Sequence, residues 1–206
     1  MITLTEAQQD ALIEICNVGM TKSAKQLSVL LNSHIVITIP EINMFDAKTV
    51  YQNNLFPVNN ILSYVYQEMS ADMLGRAVLV FQRSHATLLT RSLIFNAPQL
   101  SEQEIRACEQ EAMLEIGNII ISSCMCAIVN MLSCKITLGF PKYGEDNIGR
   151  LIKMQLNDVN SLSSEIILIE TKLETFGQDI SGKLLLILTL NSTLHLFEKL
   201  NLILIQ

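Results

Sequence analysis

Charge is scarce in this chain, and basic charge is not in excess. Only 17% of its 206 residues are charged, and half are apolar. This composition predicts a folded protein, because disordered chains have too little apolar surface to offset their conformational entropy. The net charge of −6 and the pI near 5.1 argue against a nucleic-acid surface, which needs clustered Lys and Arg. The same acidity makes the chain a poor ligand for anionic membranes.

Long hydrophobic runs are also missing, although the mean hydropathy is +0.36. The runs LLLILTL and LNLILI fall far below the ~18 residues that a membrane-spanning helix needs. The first segment, MITLTEAQQD, is polar and acidic and lacks the features of a secretory signal. We therefore expect no membrane insertion and a cytoplasmic protein.

Metal ligands and familiar catalytic motifs are few. The five cysteines have no framework spacing, and Cys124 and Cys126 lie two apart in a predicted helix, where they point in different directions. The three histidines are isolated, and no further ligands complete a zinc site. A Gly-rich phosphate loop and a Gly-x-Ser-x-Gly motif are both absent. We expect no cofactor of the protein's own, and cysteines that fill the core in a reducing compartment.

What the chain does contain is one polar pattern, Glu-x2-Asn-x22-Pro, in two copies. An acidic residue precedes each Glu by four positions. The copies comprise Asp10, Glu14, Asn17 and Pro40, then Glu111, Glu115, Asn118 and Pro141. Average residue usage gives one such triplet a chance of about one in 10⁴ per starting position. Two copies therefore indicate an internal duplication within a single domain, with repeat halves 1–98 and 99–206.

Each half is predicted to be α-β-β-β-α. In the first half we expect a helix from the Thr5–Gln8 capping box to about Asn32, a strand Ile35–Ile39 ended by Pro40, a loop through Asn59, strands Ile61–Met69 and Arg76–Phe81, and a helix His85–Phe95. In the second half we expect a helix from the Ser101–Glu104 capping box to about Leu132, a strand Cys134–Phe140 ended by Pro141, a polar loop Tyr143–Ser164, strands Glu165–Leu173 and Lys183–Leu190 with a turn at Asp179 and Gly182, and a helix Leu194–Asn201. The only linker-like segment, Asn96–Gln99, is short. Neither half has enough sheet to bury its long helix alone, so the α/β (α+β) fold should have one shared, pseudo-symmetric sheet.

The Glu and Asn of each copy are three residues apart on a helix, so their side chains project together. A carboxylate and a carboxamide can position water, accept a cation or donate a hydrogen bond, but they supply no nucleophile and no His base. A single such pair is best explained as a solvated helix face. The repetition at equal spacing favours a functional pair.

The motif [Asp/Ser]-x3-Glu-x2-Asn-x22-Pro, present twice, resembles that of the CheC/CheX/FliY family of chemotaxis phosphatases. The resemblance covers nearly the whole chain, through EIGN at 115–118 and the segments AVLVF and GKLLLIL. Two copies are similar to the CheC type, which implies a CheC-like fold with two long motif helices on a shared sheet. The chain departs from the family pattern at Glu111, where Asp or Ser is usual, and at Cys16, where Gly is usual.

The resemblance also implies chemistry. The substrate would be the aspartyl phosphate of a CheY-like response regulator, and the receiver would bring its own Mg²⁺. Asn17 and Asn118 would orient the attacking water, while Glu14 and Glu115 would dock against a receiver lysine. Asp10, Glu111, Pro40 and Pro141 would support these catalytic residues.

Two other readings remain open from the sequence. The same helices could dock a receiver, or the CheD deamidase that CheC-like proteins bind, without useful turnover. A purely structural subunit of the flagellar switch is a third reading, but such a subunit has no need of the two polar pairs.

Overall fold

An antiparallel sheet of eight strands organises the protein. The computed structural model describes residues 3–46, 60–94, 101–157, 164–175 and 178–205. The first half contributes α1 (Glu6–Leu30), β1 (Val36–Thr38), β2 (Ile42–Asp46), β3 (Leu62–Ala71), β4 (Gly75–Gln82) and α2 (Arg83–Ile94). The second half contributes α3 (Glu102–Leu132), β5 (Ile136–Leu138), β6 (Lys142–Asp146), α4 (Ile148–Asn157), β7 (Ser164–Thr175), β8 (Gln178–Thr189) and α5 (Leu190–Leu204).

Both long helices begin at the capping boxes that the sequence predicts. The Thr5 hydroxyl accepts a hydrogen bond from the Gln8 backbone N–H, and the Gln8 side chain accepts one from the Thr5 N–H. Ser101 and Glu104 repeat this exchange at α3. The Ser101 side chain and backbone hold the pKa of the Glu104 carboxyl below its usual value by hydrogen bonding to its charged form. These contacts satisfy backbone donors that a helix start otherwise leaves open.

The strand order joins the two halves of the chain. The order is β1-β7-β8-β4-β3-β5, and β2 also pairs with β7 while β6 also pairs with β3. Ile42 of β2 lies opposite Ile169 of β7. The position 101 residues later (143 − 42) is Tyr143 of β6, which lies opposite Val65 of β3. The edge strands of each half therefore pair with the other half, in matching registers. This arrangement supports the predicted duplication, and the boundary between repeat halves 1–98 and 99–206 stays a prediction.

The two faces of the sheet pack on different helices. Alternate residues of the central strands, such as Leu79 and Leu186, join a large core that includes residues of α1, α2, α3 and α5. Their neighbours Val80 and Leu185 face the other way and join a smaller core with Leu151 of α4. A central sheet buried on both faces explains the nearly continuous apolar runs of β4 and β8.

The predicted α-β-β-β-α order is wrong, because the described residues of each half form four strands and those of the second half form a further helix, α4. The chain resumes pairing as β2 after Pro40 and as β6 after Pro141, so each proline interrupts an edge ladder that continues beyond it. Helix α4 occupies part of the predicted polar loop Tyr143–Ser164. Its signal was present in the sequence, since Asn147 caps it by accepting a hydrogen bond from the Arg150 N–H.

The turn predicted at Asp179 and Gly182 is also wrong, because both residues lie within β8. A Cβ at position 182 would lie 2.5 Å from the Phe81 ring, so glycine is needed there for close packing. The last helix is longer than Leu194–Asn201, because Thr189 caps it at Leu190. The linker Asn96–Gln99, Phe95 and the loop residues 47–59 lie outside the described residues.

Helix α3 is long and apolar enough to cross a membrane by composition alone. In the structure, however, 61% of its most apolar window is buried against the rest of the protein. A helix buried in this way is typical of a core helix, and α3 supplies a large part of the main core.

Candidate functional site

The two motif helices, α1 and α3, cross in direct contact. A Cβ at Gly19 of α1 would lie 2.7 Å from the backbone oxygen of Ser123 and 2.8 Å from the Cα of Cys124. Beside this point the thiols of Cys16 and Cys124 are 3.6 Å apart and fully buried. The hydrogen bond with Cys124, together with burial, raises the pKa of the Cys16 thiol. The crossing fixes the two helices, and thereby both polar pairs, relative to each other.

In the first site, α1 exposes Glu14 and holds Asn17 half-buried one turn later. The Asn17 Oδ1 atom accepts a hydrogen bond from the backbone N–H of Ile39 at 3.1 Å. This contact links the helix to the segment between β1 and β2. The carboxamide is therefore held at one end, while the carboxylate remains in solvent.

The position of Pro40 explains the x22 spacing of the motif. Strand β1 pairs with Lys172–Glu174 and β2 pairs with Glu165–Ile169, so the ladder is interrupted between them. Pro40 lies in this interruption, where its missing N–H costs no ladder bond. The N–H of Ile39 turns to Asn17, away from the neighbouring strand. The spacing thus brings a backbone donor over the helix position that carries Asn17.

In the second site, α3 exposes Glu115 and holds Asn118 half-buried. Here the donors to Asn118 Oδ1 are two side chains, Gln67 through Nε2 at 3.1 Å and Ser122 through Oγ at 3.2 Å. Gln67 is buried on β3, and its Nε2 also donates to the Gly139 carbonyl at 3.2 Å. The same polar pair is therefore supported in a different way at each site.

The chain segments over the two sites differ accordingly. Ile39 is only 4% exposed, whereas Phe140, the residue before Pro141, is 91% exposed. Gln67 and Glu68 lie opposite the interruption between β5 and β6, and the Gly139 N–H donates to the Glu68 carbonyl. The second site therefore presents the exposed aromatic ring of Phe140 where the first site has the buried aliphatic side chain of Ile39.

The remaining predicted residues surround these pairs. Asp10 and Glu111 are exposed one turn before Glu14 and Glu115. Pro40 is exposed and Pro141 is half-buried. Nothing in the geometry assigns a chemical role to any of these side chains, so the catalytic role of the Glu/Asn pairs and the supporting role of their neighbours stay predictions.

The sequence reasoning missed Gln67. Its signal was a carboxamide in the inward row of β3, between Val65 and Met69, both of which are buried in the main core. A buried amide in such a row is uncommon and calls for a partner. The partner lies 51 residues away on α3, which no local pattern indicates.

Both sites offer the same chemistry to a ligand. In each, the protein binds the Oδ1 end of the carboxamide, which leaves Nδ2 as the end that can donate a hydrogen bond outward. An exposed carboxylate stands one turn away on the same helix face. Among the residues the structure describes, no group of three or more His, Cys, Asp or Glu could hold a metal ion. Such a site can orient a small polar molecule and pair with a cation of a partner.

This combination defines the class of protein: a mixed α/β domain with the CheC/FliY fold, carrying a Glu/Asn pair on each of two packed helices. The fold is shared with Thermotoga maritima FliY, at a TM-score of 0.76 and 21% identity over 97% of this chain and 98% of that one. The FliM middle domain from H. pylori also superposes, at a TM-score of 0.61 and 11% identity over 95% of this chain and 99% of that one.

In sequence, the chain is 24% identical over 177 residues to the CheY-P phosphatase CheC of Bacillus subtilis, which is 82% of this chain and 81% of that protein. No family model matches the chain. The resemblance that the repeated motif predicts is therefore confirmed, in sequence by CheC and in fold by FliY. These similarities give no support for CheD as a partner.

Proposed function

We propose that the protein is a phosphatase that hydrolyses the aspartyl phosphate of a CheY-like response regulator and so terminates a chemotaxis signal. The observation that supports this proposal most directly is the repeated carboxamide whose Oδ1 is bound by the protein at both sites. Similarity to a CheY-P phosphatase points to the same activity. The protein would act in the cytoplasm, where response regulators work.

The proposed role of Asn17 and Asn118 is to orient the attacking water. An acyl phosphate is reactive already, and phosphoryl transfer depends on positioning and charge neutralisation. A fixed Nδ2 donor can hold the water oxygen in line with the phosphorus atom. Water then forms the new P–O bond as the bond to the aspartyl oxygen breaks, which restores the aspartate carboxylate, and inorganic phosphate leaves with the two protons of the water. Fixing the reactants in such a geometry can contribute up to ~7–11 kcal/mol of the barrier.

The proposed role of Glu14 and Glu115 is to dock the receiver. Both carboxylates are exposed and lie one turn from their Asn partners, so each can pair with a lysine beside the phosphorylation site. Charge neutralisation at the phosphate would come from the receiver's own Mg²⁺ and lysine. In this division the phosphatase supplies a docking anion and a positioned amide, and needs no cofactor of its own.

A non-catalytic adaptor is the second candidate. The FliM middle domain has the same fold, so the fold alone does not require catalysis. An adaptor would bind the phosphorylated receiver through the same helices without accelerating phosphate loss.

The two candidates separate in one experiment. A CheY-type receiver carrying radiolabelled phosphate is incubated with Mg²⁺ alone, with the protein, and with the Asn17→Ala/Asn118→Ala variant. Faster loss of label with the protein, and loss at the receiver's own rate with the variant, supports the phosphatase. Binding without any acceleration by the unaltered protein would leave the adaptor as the function.

A further inference from the structure

We propose that Gln67 is a positioning residue of the second site alone, where its carboxamide fixes which end of the Asn118 side chain meets the substrate. The proposal rests on the phosphatase function above and deepens it. Gln67 is 3% exposed on β3, and its Nε2 donates to both Asn118 Oδ1 and the Gly139 carbonyl. It contacts the proposed catalytic pair of the second site through Asn118.

The Gly139 carbonyl decides the orientation of the Gln67 amide. A backbone carbonyl can only accept a hydrogen bond, so the end of Gln67 that faces it is the NH₂ group. The second N–H of that group then points at Asn118. Reversing Gln67 would set its Oε1 against the Gly139 oxygen, which is an unfavourable contact between two acceptors.

The orientation of Asn118 follows from that of Gln67. A donor at 3.1 Å requires an acceptor, so Oδ1 faces Gln67 and Nδ2 is left for the ligand. Ser122 also bonds to Oδ1, but a hydroxyl can donate or accept and would tolerate either orientation. Gln67 is therefore the contact that excludes the reversed carboxamide.

The first site holds its Asn carboxamide in the same orientation without such a residue. There the backbone N–H of Ile39, which can only donate, fixes Asn17 Oδ1. The strand registers identify the position on β7 that corresponds to Gln67. Leu173 of β7 lies opposite Ile37, just as Met69 of β3 lies opposite Leu138. Two residues before Met69 is Gln67, and two residues before Leu173 is Thr171. Thr171 has no carboxamide, so it serves as the matched control.

Gln67 is also a poor choice for stability alone. Its Oε1 atom is buried without a hydrogen-bond partner among the described residues. A buried polar atom without a partner destabilises the fold relative to an apolar side chain of similar shape. This cost argues that the amide is retained for what its Nε2 group does.

The test isolates each site by silencing the other. In the Asn17→Ala background only the second site is active, and there Gln67→Leu should lower kcat about 10- to 100-fold with little change in KM for the phosphorylated receiver. Gln67→Glu should lower kcat as well, because a carboxyl group has at most one O–H to donate and cannot bond to both the Gly139 carbonyl and Asn118 Oδ1. In the Asn118→Ala background, where only the first site is active, Gln67→Leu should leave kcat unchanged. Thr171→Val should leave kcat unchanged in both backgrounds.

Equal loss of kcat at both sites, or none at the second, overturns the proposal. Unfolding midpoints in urea identify any Gln67 variant that acts through the fold, and Gln67→Glu then provides the near-isosteric comparison. A measurement on the Gln67 side-chain amide distinguishes a failure of the positioning proposal from a failure of the proposed phosphatase function. If the unaltered protein releases no phosphate, the phosphatase function is wrong, and the ¹⁵N resonance of the Gln67 amide decides the positioning. A shift on Asn118→Ala but not on Asn17→Ala supports the assignment, and no shift overturns it.

Discussion

Gly19 of α1 lies against the backbone of Ser123 of α3, so closely that a Cβ at position 19 would be 2.7 Å from the Ser123 oxygen. Because the atoms that a Cβ would meet are backbone atoms, no rotamer change can relieve the contact. The two helices that carry the polar pairs are therefore set at a fixed separation by one missing side chain.

Replacing Gly19 by Ala should destabilise the protein. Alanine favours a helix over glycine by ~0.8–1.0 kcal/mol, but overpacking of this kind costs about 1–3 kcal/mol and should prevail. Urea unfolding measures the change. The matched control is Gly149→Ala in α4, where the added Cβ would meet only the Asn147 Oδ1 at 3.4 Å. Gly149→Ala should be neutral or stabilising, and a similar loss in both variants would contradict the crossing geometry.

The Cys16 thiol should make stability fall with alkaline pH. The hydrogen bond with Cys124 and burial raise the pKa of Cys16 in the folded state above its ordinary value of 9.0. The folded protein therefore holds the proton more tightly than the unfolded chain, and this stabilisation is lost as pH rises above ~9 toward the folded pKa. Burial also raises the pKa of Cys134, so Cys16→Ala should reduce the alkaline slope without removing it.

Urea titrations between pH 7 and pH 10.5 check this expectation. The unaltered protein and Cys16→Ala are compared at each pH, so that the constant cost of the substitution cancels from the slopes. Identical slopes would show that Cys16 ionises as readily in the folded protein as in the unfolded chain.

Local signals in the sequence predicted the long helices and the β3–β4 hairpin well. The Thr5 and Ser101 capping boxes locate the starts of α1 and α3, and the predicted strands Ile61–Met69 and Arg76–Phe81 match β3 and β4 closely. These elements are defined by contacts within a few residues or by strong apolar patterns. Local patterning is therefore sufficient for them.

The missed strands depend on contacts between distant parts of the chain. Strands β2 and β6 are short edge strands that pair with β7 and β3 from the other half, and their sequences alternate only weakly. Gly182 was predicted to be a turn residue, but the Phe81 ring on a neighbouring strand leaves no room for a side chain there. The Gln67–Asn118 contact likewise joins a strand to a helix, and a single sequence contains no sign of that pairing.

Asn17→Ala and Asn118→Ala should each remove part of the phosphatase activity, and the double variant nearly all of it. Each substitution deletes the amide that is proposed to hold the attacking water. Release of labelled phosphate from a CheY-type receiver measures the activity. Both residues are half-buried. Asn17 gives up one hydrogen bond to its support and Asn118 gives up two, and each substitution leaves a donor without its partner, so the free energy of unfolding should fall by about 1–3 kcal/mol per site. Full activity in the double variant would end the catalytic reading and leave the binding one.

Docking and chemistry should separate when the two residue types are changed independently. Glu14 and Glu115 are exposed and proposed to pair with a receiver lysine, so Glu14→Lys/Glu115→Lys should weaken receiver binding at least 10-fold through like-charge repulsion. Asn17→Ala/Asn118→Ala should slow turnover yet leave the affinity nearly intact, because the water is held only at the reacting phosphate. Calorimetric titration with a receiver locked by a non-hydrolysable phosphate mimic measures both affinities. If the two double variants lose binding equally, the carboxylates and the amides do not have separate roles, and the proposed division of labour is wrong.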